Sequence, residues 1–261
     1  MQELYENLLR LGIAEDPAAK MAQYGQKVAE ANAHFNLTRI LGPAEMAESH
    51  FVDSIDAARK GYIPADARII DIGTGAGFPG VPLAIFLPEA KVTLLDSSEK
   101  KTEFIRETCT ALGIPVQVVC GRSEELARGE DFFQVFDIAV ARAVARLNIL
   151  LELCAPYVRM GGRFLAYKGA SAEEEVAEAA SAAKRLGMEL EAVVAAGPAS
   201  TAHKIAVYRR VGETPPAFPR KYGKSKKHPS KGAALSNGTK AGGRFPGFFC
   251  ACTGKERQRR Q

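Results

Sequence analysis

Histidine, cysteine and long apolar runs are scarce in this chain, and each scarcity removes a class of function. The four histidines stand at 34, 50, 203 and 228, too far apart in sequence and too poor in acidic neighbours to suggest a metal site or a catalytic triad. The five cysteines (109, 120, 154, 250 and 252) are odd in number and scattered. Cys250 and Cys252 have no second pair to complete a zinc site, so neither disulfides nor structural zinc are expected. No segment approaches the ~18 consecutive apolar residues of a membrane helix, and the acidic start Met1-Gln-Glu-Leu-Tyr-Glu6 is unlike a signal peptide. A soluble, cytoplasmic protein with no membrane or metal partner is the expectation.

Acidic residues are missing from one region in particular. Residues 219–261 hold twelve Lys and Arg against Glu256 alone, net +11, which leaves 23 basic and 29 acidic residues, net −6, in 1–218. A block of that sign can neutralise phosphates and gain affinity by counterion release, so it reads as a nucleic-acid handle in preference to a merely solvated end. With 46% hydrophobic residues over 261 positions, the rest is long and apolar enough for one large α/β domain with an appendage.

The most informative stretch is Arg68-Ile-Ile-Asp-Ile-Gly-Thr-Gly-Ala-Gly-Phe-Pro-Gly80, where an apolar run breaks into a glycine-rich loop and resumes as Val81-Pro-Leu-Ala-Ile-Phe-Leu87. A strand, a tight turn and a helix start are implied, with Gly73, Gly75 and Gly77 letting backbone approach a ligand. A dinucleotide fingerprint needs Gly-x-Gly-x-x-Gly, but Phe78 occupies the third glycine position. The spacing present, Gly-x-Gly-x-Gly, looks like the S-adenosylmethionine loop of Rossmann-like methyltransferases, with a structural turn as the alternative. Lys91-Val-Thr-Leu-Leu-Asp96 reads as the next buried strand, ending in an acid 25 residues after Asp71 and suited to a ribose diol. That acid marks a nucleoside without choosing between NAD and S-adenosylmethionine.

Leucines at 4, 8 and 11 give Glu3–Leu11 a helical spacing, and Asp16 reads as the N-cap of a second helix with Pro17 at its first position, reaching about Ala33. After Gly42-Pro43, Ala44–Lys60 reads as a helix carrying His50, Asp53 and Ser54. Strands are predicted at Ile69–Ile72, Val92–Leu95, Val116–Cys120, Ile138–Ala141, Phe164–Tyr167, Leu190–Ala195 and Ile205–Arg210. Helical stretches between the first five and before the sixth argue for a parallel sheet covered on both faces. The loop over 196–203 has no room for a crossover helix, so the last two strands should pair antiparallel.

The predicted organisation is therefore a helical N-terminal segment (1–65), a Rossmann-like class I methyltransferase domain (66–212) and a basic, disordered tail (213–261). The domain would hold a seven-stranded, mostly parallel sheet with a reversed final hairpin. In the tail, proline, glycine, serine and lysine leave nothing with which to build a core.

Ser123 and Glu124, after the third strand, are placed to reach an adenine, or else only to cap the next helix. Arg142, at the mouth of the fourth strand, should face the substrate beside the transferable methyl, with a plain ion pair as the alternative. Lys168 ends the fifth strand on the same side, against phosphate or the cofactor's surroundings or in solvent, and His50 reads as a packing or hydrogen-bonding residue. The Asn-Pro-Pro-Tyr or Asp-Pro-Pro-Tyr motif of exocyclic-amine methylation is absent here, and no cysteine stands ready for a covalent pyrimidine adduct. What remains is a substrate atom already nucleophilic enough to attack when held close, such as guanine N7.

Several blocks in order over roughly residues 1–229 resemble the RsmG (GidB) family of bacterial 16S rRNA guanine-N7 methyltransferases. They are Phe35-Asn-Leu-Thr38, His50-Phe-Val-Asp-Ser54, Asp71 through Gly80, Leu94-Leu-Asp-Ser97 with Lys100-Lys101, Ala141-Arg-Ala-Val-Ala145, Lys168-Gly169 and Pro219-Arg-Lys221. The resemblance implies S-adenosylmethionine as cofactor, 16S rRNA or the small ribosomal subunit as partner, and as target a guanine of the 530 loop, 527 in the family's usual rRNA numbering. It implies that Gly73, Phe78, Ser123, Glu124 and Arg142 line the cofactor site with Asp96 near the ribose, Gly75 and Gly77 completing the loop. It groups Asn36, Thr38, His50, Lys168, Arg220 and Lys221 on the RNA side and identifies no catalytic base, with Arg142 a candidate for substrate positioning. Residues 230–261 depart from the family's pattern. The alternatives are a methyltransferase of a small molecule or protein, and an RNA-binding protein that keeps the nucleotide fold without catalysis.

Overall fold

The helical spacing of Leu4 and Leu8 buries both along α1 (Gln2–Arg10), in a computed structural model that describes residues 1–198 and 202–220. Helix α2 (Glu15–Asn32) starts one residue before the expected cap and has no side-chain cap. Asp16 and Pro17 fall instead inside its first turn, where an acid meets the positive end of the helix and a missing N–H goes unmissed. The single helix expected over Ala44–Lys60 is three pieces: α3 (Pro43–Met46), a π-turn (Ala47–Val52) and α4 (Asp53–Arg59). Such widened turns inside helices recur at functional sites, and the hydroxyl of Ser54 donates to the carbonyl of His50 across this one.

From there strands and helices alternate: β1 (Arg68–Ile72), α5 (Gly80–Phe86), β2 (Lys91–Asp96), α6 (Glu99–Ala111), β3 (Val116–Cys120), α7 (Ser123–Leu126), β4 (Phe136–Arg142) and α8 (Leu147–Cys154), then β5 (Val158–Lys168), α9 (Ala172–Arg185), β6 (Met188–Ala195) and β7 (Lys204–Arg210). They form one seven-stranded sheet in the order β3-β2-β1-β4-β5-β7-β6. Strand β7 runs antiparallel to both of its neighbours while the pairs from β3 to β5 are parallel, which is the expected reversed final hairpin.

The apolar strand runs divide between two faces with a period of two. Ile69, Ile138, Val140, Leu165, Ile205 and Val207 pack with α1, α2 and the helices near them, whereas Ile70, Ala139, Phe164, Ala166 and Tyr208 pack under α8 and α9. The N-terminal helices thus share a core with the sheet.

Two stretches differ from expectation. Strand β5 begins six residues before Phe164, because Gly161 and Gly162 fall opposite a register shift between Phe136 and Ile138 and do not end the strand. Glycine there marks an irregularity with close backbone approach: a Cβ on Gly162 would lie 2.6 Å from the Asp137 carbonyl. Residues 213–220, expected to open a disordered tail, are fastened to the body: Thr214 is buried and donates to Leu186 O, and Phe218 packs on the α8–α9 face. The rest of the tail, with Lys221, His228, Cys250 and Cys252, lies outside the described residues. Among the described residues no helix is long and apolar enough to cross a membrane.

Candidate active site

The strand order reverses between β1 and β4, and in open α/β sheets ligands bind at the carboxyl ends of the strands beside such a reversal. A cavity of about 900 Å³ lies there. Its walls are the ends of β1, β2, β4 and β5, the glycine loop, and Leu37–Ile40 from the N-terminal segment.

On the β1–β2 side the backbone is held open by carboxylates. Asp71 Oδ2 accepts from Thr74 Oγ1 (2.7 Å) and Gly80 N (2.8 Å). Asp71 is fully buried, and burial pushes its carboxyl up to about 6 against those two hydrogen bonds. It therefore braces the loop from behind and does not line the cavity. Asp96 does line it: Oδ2 accepts from Gly75 N (3.0 Å) and Oδ1 from Ser98 N (2.9 Å), and the remaining lone pairs of both oxygens suit a diol.

The three loop glycines have separate jobs. At Gly75 φ is +63° and a Cβ would meet nothing closer than 3.9 Å, so the side facing the cavity is free for a ligand. A Cβ on Gly77 would sit 2.2 Å from the Tyr24 hydroxyl; Gly77 faces the core and is off the cavity wall, contrary to expectation. Gly73 lines the wall with Val144 against it. Tyr24, on α2, donates to Ala76 O at 2.9 Å and sets its ring edge-on to Phe78. Nothing in the sequence marked it, since a buried tyrosine on an amphipathic helix looks like any core residue.

Ser123 and Glu124 line the wall. The helix-capping alternative is not realised: Ser123 is the first residue of α7 and its hydroxyl donates to Leu153 O (3.2 Å). An acceptor at the end of β2, open backbone at Gly75 and polar groups after β3 fit the nucleoside cofactor that the sequence leads one to expect.

The β4–β5 side is a side-chain network. Arg142 Nη1 donates to Asp53 Oδ2 (3.0 Å) and Ser49 O (2.9 Å), and the guanidinium lies 5.4 Å from the Phe78 ring centroid. The ion-pair alternative for Arg142 is thus realised while the side chain also lines the cavity. His50 stacks on Phe78 at 4.5 Å. Its Nδ1 lies 3.4 Å from Arg142 Nη2 and its Nε2 2.8 Å from Thr38 Oγ1. Facing a guanidinium, Nδ1 can only accept, which leaves the ring proton on Nε2. Burial, and then the Arg142 cation, push the His50 imidazole down to about 3, so it is neutral.

Lys168 is neither solvated nor free. Its Nζ donates to Ala145 O (2.7 Å) and pairs with Glu175 (2.8 Å), pinning the loop after β4. Two groups on this wall were given no site role from the sequence, Asp53 and His203. Asp53 could have been found three residues after His50 on a helical pattern; His203, some 150 positions away, could not. Arg39 and Arg122, both exposed, and half-buried Lys101 add cations to the wall.

Asn36 is exposed and off the wall. Arg220 forms a forked pair with buried Glu152 (2.8 and 2.6 Å), a structural contact in place of a free phosphate ligand. Among the described residues no cluster of His, Cys, Asp or Glu is gathered to hold a metal ion.

A profile of the family described as rRNA small subunit methyltransferase G matches residues 17–203. The ribosomal RNA small subunit methyltransferase G of Alkaliphilus oremlandii is 40% identical over 227 residues, 85% of this chain and 95% of that protein. Its namesake from Desulfitobacterium hafniense is 39% identical over 235 residues, 87% of this chain and 97% of that protein. A solved SAM-dependent methyltransferase from Aquifex aeolicus superposes with a TM-score of 0.51 at 16% identity, over 72% of this chain and 98% of that one, a likeness of fold.

Proposed function

The chain belongs to the rRNA small subunit methyltransferase G family, and from that premise we propose that it methylates N7 of a guanine in the 530 loop of 16S rRNA with S-adenosylmethionine. The observation that carries the reading is the cavity itself, in which a glycine loop held by Asp96 stands opposite an arginine network on a wall that also bears Arg39, Lys101 and Arg122. Bound S-adenosylmethionine supplies an electrophilic methyl on a sulfonium. The chain's own groups then hold the nucleoside, through the Gly75 backbone, Phe78, Asp96, Ser123 and Glu124, and hold the guanine, through Arg142 and the side chains that fix Arg142.

Two groups of the network are poorly placed to remove a proton. His50 is neutral with both nitrogens engaged and an imidazole pushed down to about 3. Burial opposes the charge on Glu175, but Lys168 and the Leu147 N–H hold its carboxyl below the ordinary range. Guanine N7 suits such a site because its lone pair lies in the ring plane and needs no deprotonation. Catalysis is then mainly in-line positioning, which contributes roughly 7–11 kcal/mol in well-oriented systems. The target base has to be unpaired or flipped out to enter.

Incubation with small ribosomal subunits and methyl-labelled S-adenosylmethionine, followed by nucleoside analysis, tests the reading. Label in 7-methylguanosine is expected. Label in another nucleoside, in protein, or in no macromolecule overturns it.

A further inference from the structure

We propose that His203 binds the target nucleotide as a hydrogen-bond donor, with Asp53 orienting its ring from behind. The inference rests on the rRNA reading above and adds a residue to it. His203 is the last loop residue before β7, on the same wall as Arg142. Its Nδ1 lies 3.3 Å from Asp53 Oδ1, at ion-pair distance though outside hydrogen-bond geometry, and neither atom makes a hydrogen bond among the described residues. Asp53 is 3% exposed, whereas the His203 side chain is 37% exposed. No described group bonds its Nε2.

The placement is anchored twice. Ala196 N donates to His203 O (2.9 Å), closing the base of the loop, and Gly197 N donates to Asp56 Oδ2 (3.1 Å). Asp53 and Asp56, three apart on α4, share one face, so a single helix grips both ends of this connection. A carboxylate at Nδ1 fixes the ring's orientation and keeps a proton there. In the imidazolium form, Nε2 then becomes a donor as well.

The surroundings favour that form. The Asp53 carboxylate holds His203 above the ordinary histidine range, against burial and the Arg142 cation. The other charges nearby are largely paired: Asp56 with Lys60, and Lys204, next in the chain, with Glu173 of α9. His50, the other histidine on the wall, is neutral and committed to Thr38 and Arg142. The group that His203 would bind is an acceptor oxygen, either O6 of the guanine or a flanking phosphate, because N7 must face the methyl.

His203→Ala and His203→Gln decide it in the full chain, read by RNA affinity in filter binding, by single-turnover methyl transfer to small subunits, and by S-adenosylmethionine affinity in calorimetry. For His203→Ala the expectation is an RNA kcat/KM lower by about tenfold, on the order of 1.4 kcal/mol, with cofactor affinity unchanged. Wild-type RNA affinity should fall as pH rises through the titration of His203, above the ordinary histidine range, and His203→Gln should lose that fall. A slope of log K against log salt flattened by about 0.7 to 0.9 in His203→Ala identifies a phosphate partner, and an unchanged slope a base oxygen. Wild-type turnover in His203→Ala, a retained pH response in His203→Gln, or an equal loss of cofactor affinity would overturn the proposal. A wild-type product other than 7-methylguanosine overturns the earlier reading instead, since RNA affinity and its pH response still decide the role of His203.

Discussion

On the β1–β2 side of the cavity the working groups are the open backbone face of Gly75, in a loop held by Asp71 and Asp96, and the side chains of Asp96, Ser123 and Glu124 at the strand ends. On the β4–β5 side they are side chains drawn from five separate places, Thr38, His50 and Asp53, Arg142, Lys168, and His203. A site built on an open glycine backbone keeps its space for the ligand, so a side chain added there should make it fail all at once. A side-chain network should fail in steps, each lost partner exposing the next. The first half should govern cofactor affinity and the second RNA turnover.

The harshest break is Gly75→Val. A branched residue at φ +63° is strained, on the order of 1–2 kcal/mol, and its side chain would fill space the protein leaves open there. S-adenosylmethionine affinity should fall about a hundredfold or more, roughly 2.8 kcal/mol, with the fold intact. Unchanged affinity in titration calorimetry would place the cofactor elsewhere.

Arg142→Ala attacks the other half. Methyl transfer under single-turnover conditions should drop about tenfold or more, at least roughly 1.4 kcal/mol. The thermal midpoint should fall with it, because Asp53 keeps a buried charge without its main partner. A wild-type rate would reduce Arg142 to a structural ion pair.

Tyr24→Phe sharpens the boundary between the halves and the N-terminal helices. It deletes the donor to Ala76 O, and a buried carbonyl left unpaired costs about 1–3 kcal/mol. Cofactor affinity should weaken a few-fold, while turnover at saturating cofactor stays as it was. If affinity is untouched, the glycine loop keeps its shape without α2.

Deleting residues 230–261 should have the smallest effect on the cavity. It removes seven basic side chains (Lys231, Lys240, Arg244, Lys255, Arg257, Arg259 and Arg260) together with Glu256. RNA affinity should fall and its salt slope flatten by about 0.7 to 0.9 per lost phosphate contact, with cofactor affinity constant. An identical salt slope in the truncated protein would show that the extension touches no phosphate.

The same contrast explains what could be read from the sequence. Gly73, Gly75, Asp96, Ser123 and Arg142 stand at strand ends, and strand ends follow from apolar periodicity and glycine spacing, so the sheet and this part of the wall were legible. Asp53 and His203 come together only because α4 and the β6–β7 connection meet at the mouth of β4, and no local pattern encodes that meeting. The π-turn escaped for a related reason, since one extra residue in a helical turn leaves the apolar spacing nearly intact. Arg220 and Gly77 show the converse: both stand in blocks that resemble the family, and the first is held by buried Glu152 while the second is packed on Tyr24.

The division into a cofactor half and a substrate half is tested most directly by Asp53→Asn, which keeps the shape of the side chain and removes the charge between Arg142 and His203. S-adenosylmethionine affinity by calorimetry and methyl transfer to small subunits would be measured on the same preparation. The expected result is cofactor affinity within about threefold of wild type, under ~0.7 kcal/mol, with transfer reduced about tenfold or more. Loss of cofactor affinity in parallel with transfer, or transfer at the wild-type rate, would contradict it.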